Sequence, residues 1–399
     1  MVVSDSRKYD VGGLLLDRPF KIRRLGHFGF NAANLEACAH FYVDLMGFRV
    51  SDPVGARGFF LRHGSDHHSL VLFNRTIVDE ATLSGPGARH YRPENDINQI
   101  TWQLQSLREV VDATAYFRDL EMEIIREGRA GGPGSNYHLY FYDPDEQIDV
   151  LYYGIEQIGW DGHSKPVEMR HGLPLAPTEP RLGEFDEVQS DLAAGVDIMS
   201  GYLHEDPRPP SHDVDGILLP SPFRVIRTGP VNLFANDVEK TKEHYLDVLG
   251  LDLTEEVEWR GERCSFLRCD GEHHSLGIFP KSWRDKLELS PATSSMSTGL
   301  QVANYRQLRD AVSFLRLNGV RVETNLIPPE LHPGIDHAAY AFDPDGRCLE
   351  LYYSMERVGW DGQPRPRDLR RRVDPNQWPE QLEPTSDTYR GEPFLGPWR

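Results

Sequence analysis

An internal repeat constrains the fold of this chain more than any other feature of its sequence. Four short segments occur twice, in the same order, at offsets of 200 to 206 residues. The paired segments are Gly-Trp-Asp-Gly at 159–162 and 359–362, Asp-Pro-Asp at 143–145 and 343–345, His-His-Ser-Leu at 67–70 and 273–276, and the related segments 40–47 and 243–250. Such self-similarity indicates a tandem duplication. The 399-residue chain is therefore predicted to consist of two equivalent halves.

Each half divides again into two similar units. The segment 35–45 has apolar residues near the i, i+3, i+4 and i+7 spacing of an amphipathic helix. In the first half the pattern predicts strands at 24–31, 48–51, 58–62, 69–73, 97–103, 121–126, 137–142 and 148–153, and helices at 35–45 and 107–120. One unit of strand, helix and three strands leaves an apolar sheet face exposed. We therefore expect an α+β fold in which four βαβββ units pair into two domains, each with a curved mixed sheet.

The extent of the repeat predicts the domain boundaries. We expect an N-terminal arm at 1–21, a first domain at 22–162, a linker at 163–222, a second domain at 223–362 and a C-terminal tail at 363–399. The linker is rich in Pro, Asp, Glu and Gly, so we expect it to wrap the surface. The tail holds one basic run, Arg370 to Arg372, which we interpret as a solvated or subunit-contacting patch.

Composition narrows the classes of partner. The chain has 43 Lys and Arg against 62 Asp and Glu, a formal net charge of −19, which disfavours nucleic acids and anionic membrane surfaces as partners. Its sequence has no apolar run of membrane-spanning length and no signal-peptide pattern at its start, so we expect a cytoplasmic protein. The four cysteines are scattered and are interpreted as reduced thiols.

Several motifs together resemble a known superfamily. They are Arg24-Leu-Gly-His-Phe-Gly-Phe, His40-Phe-Tyr-Val-Asp-Leu-Met-Gly-Phe, Asp66-His-His-Ser-Leu-Val-Leu, Ser135-Asn-Tyr-His-Leu-Tyr-Phe-Tyr-Asp-Pro-Asp and Cys348-Leu-Glu-Leu-Tyr-Tyr. Over residues 22–162 and 223–362 the chain resembles the vicinal oxygen chelate (glyoxalase/bleomycin resistance/dioxygenase) superfamily, and within it the two-domain extradiol, catechol 2,3-dioxygenase-like enzymes. The resemblance implies a homo-oligomeric oxidoreductase that cleaves a small aromatic diol with O2, in the breakdown of aromatic compounds.

The resemblance also implies a cofactor and a set of site residues. Ring-cleaving members hold Fe(II), or sometimes Mn(II), with two histidines and one carboxylate. His27 matches the first histidine, and Gln99 stands where the second is expected. The glutamate position is occupied by Val150, and Asp149 can fill it only with a one-residue gap. The family's acid/base histidine matches His67 or His68, of which we favour His68; His138 matches a nearby tyrosine of the family.

The second half departs further from the family pattern. Its corresponding positions are Pro230, Ser297 and Glu350, with His273 or His274 at the acid/base position. Neither half carries the complete ligand set, so the first half is the candidate metal site and the second is interpreted as structural. An alternative is one site built across the halves from His27 and Glu350.

Some candidate residues also have a structural interpretation. Because side chains alternate along a strand, Asp149 is expected on the opposite face from Ile148 and Val150. Its alternative interpretation is a carboxylate exposed to solvent. Trp102, Tyr140 and His138 are expected either to line an aromatic-binding cavity or to belong to the core.

Three functions remain open from the sequence. The first is an extradiol-type dioxygenase. The second is a metal-independent enzyme in which His68 and His138 perform acid/base chemistry on an aromatic or polyketide-like ligand. The third is a ligand-binding or resistance protein. Because the sequence shows no obvious basic residue at a cavity mouth, we expect a neutral phenolic ligand.

Overall fold

Two eight-stranded mixed sheets dominate the protein. The computed structural model describes residues 8–77, 89, 96–174, 183–359 and 361–384, which also form two short two-stranded sheets. The α+β fold of paired βαβββ units predicted from the repeat is confirmed. Within these described ranges, no helix combines the length and hydropathy needed to cross a bilayer.

The strands of the two halves follow the same order, and the second half has one further described helix, Trp283–Lys286. The first half contains β1 Tyr9–Val11, β2 Leu14–Leu16, β3 Arg24–Ala32, α1 Leu35–Ala39, β4 Arg49–Pro53, β5 Gly58–Arg62, β6 Leu70–Asn74, β7 Ile97–Gln103, α2 Leu107–Asp119, β8 Ile124–Arg129, β9 Tyr137–Tyr142 and β10 Ile148–Tyr153. The connecting segment contains α3 Glu184–Ala193. The second half contains β11 His212–Val214, β12 Ile217–Leu219, β13 Val225–Ala235, α4 Val238–Glu243, β14 Asp252–Trp259, β15 Glu262–Arg268, β16 Leu276–Pro280, α5 Trp283–Lys286, β17 Ser295–Val302, α6 Tyr305–Leu317, β18 Val322–Glu323, β19 Ala338–Phe342 and β20 Cys348–Tyr352. Helices α1 and α4 continue as π-helical turns, His40–Leu45 and His244–Leu249, and short 3₁₀ turns occur at Gly55–Arg57, Val167–Met169, Ile198–Ser200, Pro329–Leu331 and Arg367–Leu369.

The strand order brings the first and last strands of every unit to the middle of its sheet. The orders are β4-β5-β6-β3-β7-β10-β9-β8 and β14-β15-β16-β13-β17-β20-β19-β18. In each unit the first and last strands pair in parallel, and the two units join through the antiparallel pairs β3–β7 and β13–β17. One prediction was displaced: β8 begins at Ile124 rather than at 121, because Glu121 takes a left-handed turn conformation (φ 55°) after α2.

The two faces of each sheet pack differently. Side chains alternate between faces along a strand. On β10, Leu151 packs into the core formed with the helices and the other half, whereas Val150 and Tyr152 belong to a separate cluster on the opposite, concave face. On β20, Leu351 and Tyr352 divide in the same way. A candidate site residue can therefore be assigned to a face by its register alone.

The repeated Asp-Pro-Asp motif joins the two halves. Asp145 accepts a hydrogen bond from the backbone N–H of Asn236 at 2.9 Å, just before α4. Asp345 accepts bonds from the N–H groups of Ala33 at 2.7 Å and Asn34 at 3.2 Å, just before α1. Each motif thus supplies an acceptor to the start of a helix in the other half, where backbone N–H groups lack partners.

A pair of buried acids lies at this junction in the first half. Asp149 accepts hydrogen bonds from Trp102 Nε1 at 2.8 Å and from the Tyr245 hydroxyl at 2.7 Å. Burial raises the pKa of Asp149 to about 7, although both hydrogen bonds oppose the shift. Burial, together with the negative charge of Asp149, raises the pKa of Asp143 well above its usual range.

The second half neutralises its equivalent acid. Arg347 Nη1 donates to Asp343 at 2.7 Å, and both side chains are buried. At the position of Arg347 the first half has Gln147, which carries no charge. The first-half acids therefore lack the cation that balances their counterpart.

We predict that Asp143→Asn stabilises the protein at alkaline pH. Burial raises the folded pKa of Asp149 to about 7 and that of Asp143 well above its usual range. Their stabilising effect is therefore complete below about pH 4 and is lost as pH rises through the raised folded values. The variant should raise Tm by about 2–4 °C at about pH 8, with little difference near pH 4.5. The matched control Asp343→Asn should lower Tm, because Arg347 would lose its closest carboxylate. A lower Tm for Asp143→Asn at about pH 8 would contradict this assignment.

Candidate active site

A chain of polar side chains is buried beside the first-half sheet. Arg170 Nη2 lies 2.8 Å from Asp52 Oδ2, and His67 Nε2 lies 2.7 Å from the same oxygen. His67 Nδ1 is 3.0 Å from His68 Nδ1. Burial acts to raise the pKa of Asp52, but the hydrogen bonds from His67 and Arg170 outweigh it and lower that pKa. Asp52 is therefore an anion at neutral pH.

This hydrogen-bond order assigns the tautomers of both histidines. Because ionised Asp52 can only accept, His67 carries its proton on Nε2. With its proton on Nε2, His67 has its lone pair on Nδ1, which accepts the Nδ1–H of His68. The lone pair of His68 is left on Nε2, and burial lowers its pKa well below the usual value for histidine. We call the carboxylate and the histidine pair a relay; it ends in the unprotonated Nε2 of His68.

The structure brings five of the candidates together on the concave face. His68 Nε2 lies 3.2 Å from His27 Nε2, and the Gln99 amide nitrogen lies 3.1 Å from the same atom. The Tyr140 hydroxyl donates to Gln99 Oε1 at 3.1 Å. His138 follows, with its ring 4.9 Å from the Tyr140 ring. All five side chains are at least nine-tenths buried.

The Leu-Gly-His motif has a steric cause. A Cβ on Gly26 would lie 2.4 Å from the Tyr152 hydroxyl, so only glycine fits there. The β3–β7 register shifts between Leu25 and Phe28, and this bulge holds His27 at the sheet centre. Burial lowers the pKa of His27 to about 3, so its ring is neutral at physiological pH.

Three candidates lie elsewhere, which corrects the sequence-based assignment. Asp149 and Trp102 bond to each other on the helix-packed face, opposite His27, because alternation along β10 and β7 turns them away. Asp149 is also fully buried rather than solvated. Glu350 lies in the second-half sheet, bonded to its own neighbours, and does not join His27.

The second half contains an equivalent relay. Arg370 Nη2 donates to Glu255 Oε2 at 2.6 Å, and His273 Nε2 lies 3.1 Å from that oxygen. His273 Nδ1 is 3.1 Å from His274 Nδ1. Burial opposes ionisation of Glu255, but hydrogen bonds from His273 and Arg370 lower its pKa. The same reasoning leaves the lone pair of His274 on Nε2.

Glycines cover both relays. Gly134 approaches the first pair so closely that a Cβ would lie 2.6 Å from the Nδ1 atoms of His67 and His68. A Cβ on Gly334 would lie 2.8 Å from His273 Cβ. Backbone therefore lies directly against each pair, an arrangement that any larger residue would disrupt.

The free end of the second relay differs from the first. Pro230 replaces the histidine that contacts His68 in the first half, and within the described residues His274 Nε2 has no hydrogen-bond partner. Burial lowers the pKa of His274 well below the usual value. The second half thus presents an unoccupied imidazole nitrogen where the first presents an occupied one.

A buried carboxyl group occupies the same concave face. Glu350 accepts from Asn232 Nδ2 at 3.2 Å and from the Tyr340 hydroxyl at 3.3 Å. Ser297 Oγ lies 3.4 Å from it. Burial raises the pKa of Glu350 to about 7 despite these bonds. This carboxyl can therefore hold a proton near neutral pH.

An accessible cavity of about 340 Å³ lies in the second half. Its wall includes His332. The ring centroid of His332 lies 6.2 Å from that of Tyr340. A positive charge on His332 would lower the pKa of His274. Burial lowers the pKa of His332 to about 4. Glu255 of the relay also lines the cavity.

The donor sets do not match a two-histidine, one-carboxylate metal site. The first half offers His27 and Gln99 but has Val150 at the carboxylate position, whereas the second has Glu350 but Pro230 and Ser297 at the histidine positions. Among the described residues, no three His, Cys, Asp or Glu side chains form a group suited to a metal ion.

Comparisons with known proteins agree with this architecture. The model of the Glyoxalase/Bleomycin resistance protein/Dioxygenase superfamily matches residues 24–147 and 227–351. The chain belongs to this superfamily. Its sheets and strand order are those on which the two relays and the concave faces described above are built.

Solved structures of the superfamily resemble the whole fold. A Mn(II)-bound glyoxalase from Novosphingobium aromaticivorans is 16% identical, with a TM-score of 0.53 over 86% of this chain and 85% of that one. The 2,3-dioxygenase LapB from Pseudomonas sp. KL28 is 16% identical, with a TM-score of 0.56 over 86% and 96%. Homoprotocatechuate 2,3-dioxygenase from Brevibacterium fuscum, in complex with 3,4-dihydroxyphenylacetate, is 18% identical, with a TM-score of 0.55 over 86% and 85%. No curated protein sequence matches the chain.

The sequence-based analysis missed the residues that complete the relays. Asp52 on β4 and Glu255 on β14 occupy equivalent positions 203 residues apart. Arg170 and Arg370 are 200 residues apart. Extending the repeat comparison past Gly-Trp-Asp-Gly would have identified the arginines. The two relay carboxylates were harder to recognise as equivalent, because the first half has Asp52 where the second has Glu255. No feature of the repeat pointed to His332.

We predict that Asp52→Asn destabilises the protein at neutral pH by about 3 kcal/mol, because it leaves buried Arg170 without its carboxylate. The folded pKa of Asp52 is lowered, so its contribution is present above about pH 4 and is lost as pH falls through the folded value. Urea unfolding at two pH values measures this. The control Asp66→Asn breaks the partly exposed pair with Arg24 and should cost less than about 1 kcal/mol. Equal effects of the two variants would contradict a structural role for the relay.

Proposed function

We propose that this protein is an enzyme of the superfamily that transfers a proton on an aromatic or polyketide-like ligand without a metal, on the concave face of the second half, next to the cavity that Glu255 and His332 line. The observation that carries the proposal is the unoccupied Nε2 of His274 at the end of a carboxylate-anchored relay. Neither half has the family's two-histidine, one-carboxylate set. The second half instead has a base, an acid and a cavity.

His274 is the general base. Its Nε2 lone pair takes the ligand's proton, and the resulting positive charge is stabilised through His273 by ionised Glu255. An acid-anchored imidazole serves this role in the Ser-His-Asp arrangement, where the carboxylate fixes the tautomer and stabilises the imidazolium. Arg370 keeps Glu255 ionised throughout.

Glu350 and Tyr340 are the acidic partners. Proton removal places negative charge on a ligand oxygen, which a hydroxyl or a protonated carboxyl can stabilise by donating a hydrogen bond. Burial raises the pKa of Glu350 to about 7 while it lowers that of His274. Environments that push two titratable groups apart in this way are typical of an acid and base pair.

We predict that the protein exchanges a carbon-bound proton of an enolisable aryl ketone or aryl β-diketone with solvent. The assay is loss of the α-proton signal in D2O, followed by ¹H NMR across a panel of such compounds. His274→Ala should slow exchange by about 100-fold or more, since general-base catalysis contributes at least that factor. The matched first-half variant His68→Ala should retain the activity within a few fold.

The pH profile provides a further test of the same roles. Burial lowers the pKa of His274 well below the usual value for histidine, so exchange should persist at pH values below that usual value and decline above about pH 7 as Glu350 ionises. Glu350→Gln should remove the alkaline decline. Unchanged exchange in His274→Ala would refute the assignment of the base.

A second candidate function is an extradiol-type dioxygenase that uses Fe(II) or Mn(II). It is favoured by one observation: the nitrogens of His27, His68 and Gln99 converge at separations of 3.1–3.2 Å. These are three neutral donors, without the carboxylate of the family set. In this function the ligand would be a small aromatic diol, with O2 as co-substrate.

Oxygen uptake distinguishes the two candidates. The second function predicts O2 consumption with catechol or 3,4-dihydroxyphenylacetate after addition of Fe(II), abolished by His27→Ala and unaffected by His274→Ala. Our first proposal predicts no uptake above that of the buffer containing Fe(II). Uptake that requires His27 would replace the first proposal with the second.

A further inference from the structure

A short segment that supplies a relay arginine follows each repeat, and the second of these segments lines the 340 Å³ cavity. We call residues 163–172 the first strap and residues 363–372 the second strap. Each contains a 3₁₀ turn after a proline, and each supplies the arginine of its relay, Arg170 or Arg370. This arginine is therefore required by the architecture that both halves share.

The second strap has additional arginines that the shared architecture does not require. Arg367, Arg371 and Arg372 stand where the first strap has Val, His and Gly. All three line the 340 Å³ cavity, as do Arg365 and Arg370. Since the first strap forms the same turn without them, the extra positive charge serves something other than the fold.

The cavity is locally basic in an acidic protein. Its lining has five arginines against four carboxylates, whereas the whole chain has a net charge of −19. Arg367 and Arg370 bond to Glu255, and Arg371 bonds to Asp336. Arg370 and Arg371 are thus bound to cavity carboxylates, which corrects their interpretation as a solvated patch.

One guanidinium remains available. Arg372 is exposed at the cavity and has no ion-pair or hydrogen-bond partner within the ranges that the structure describes. The rest of the lining combines apolar residues, Val257, Pro329, Pro333, Ile335 and Val373, with the polar side chains of His332, Tyr353 and Ser354 and the exposed carboxylate of Glu330. Because arginines outnumber carboxylates in this lining by one, the cavity suits a ligand that has an aromatic body and a single negative charge.

We propose that the second-half cavity binds a small aromatic monocarboxylate, whose carboxylate pairs with Arg372 and the neighbouring Arg371. The claim that His274 deprotonates this ligand rests on the proposed function. The claim that the cavity binds it rests on the second strap alone. The guanidinium and carboxylate form charge-assisted hydrogen bonds, and Arg is suited to a bidentate contact. The expectation of a neutral phenolic ligand is thereby replaced.

Isothermal titration calorimetry on the full chain tests the proposal with benzoate and phenylacetate as probes. The neutral analogues benzamide and phenylacetamide should bind at least about tenfold more weakly, because they lack the charge. Arg372→Gln should weaken binding of both carboxylates by about tenfold and leave binding of the amides unchanged. Arg108→Gln removes an exposed arginine of α2 in the other half and should leave all four affinities unchanged.

A second variant controls for folding. The double change Arg371→His and Arg372→Gly reproduces the first strap, which the chain itself already accommodates. It should fold, with Tm lowered only slightly by loss of the partly exposed Arg371–Asp336 pair. It should lose the preference for carboxylates over amides. Equal affinity for benzoate and benzamide, or an affinity for carboxylates that is insensitive to both arginine variants, would overturn the proposal.

The outcomes separate this proposal from the proposed function. Calorimetry detects binding without turnover, so arginine-dependent carboxylate binding with no proton exchange would refute the function and leave the binding site. Proton exchange that requires His274, without a preference for carboxylates over amides in binding, would support the proposed function and refute the carboxylate-binding site.

Discussion

The contact between a buried carboxylate and a strap arginine determines the chemistry of both halves. It keeps Asp52 and Glu255 ionised in an interior that otherwise favours neutral groups. The ionised carboxylate then fixes the proton of one histidine, which fixes the proton of the next. An arginine that lies more than 100 positions from its carboxylate in sequence thus helps to decide which nitrogen of His68 or His274 has a lone pair. The hydrogen bond from the histidine and the pair with the arginine together overcome the effect of burial on the pKa of each acid.

The two halves share this device and differ in what surrounds it. In the first half His27 and Gln99 occupy the end of the relay, and a valine stands at the carboxylate position. In the second half, with Pro230 at the position of His27, buried His274 Nε2 has no hydrogen-bond partner among the described residues, while Glu350 remains. Duplication allowed one copy to keep a closed polar cluster and the other to combine a base, an acid and an arginine-lined cavity. In the function that we propose, the chemistry lies in the half that the sequence comparison interpreted as structural.

Much of the fold could be predicted because the repeat and the residue periodicity are local properties. The strands at 137–142 and 148–153 are confirmed residue for residue. The site was harder, because it depends on which face a side chain joins and on distant partners. Alternation along β10 places Asp149 and Val150 on opposite faces of the sheet. Only the register to β9 and the contact of Asp149 with Tyr245 show that Asp149 lies on the helix-packed face and Val150 on the concave face. Likewise, the link from Arg170 to Asp52 spans 118 residues, and no local pattern predicts it.

The central claim is that the histidine relay, rather than a bound metal, carries the chemistry. The most direct test is the metal content of the full chain, purified without chelators and measured by inductively coupled plasma mass spectrometry. The account predicts iron, manganese and zinc well below one equivalent per chain, with no difference between wild type and His27→Ala. One equivalent of metal in the wild type that His27→Ala removes would contradict it.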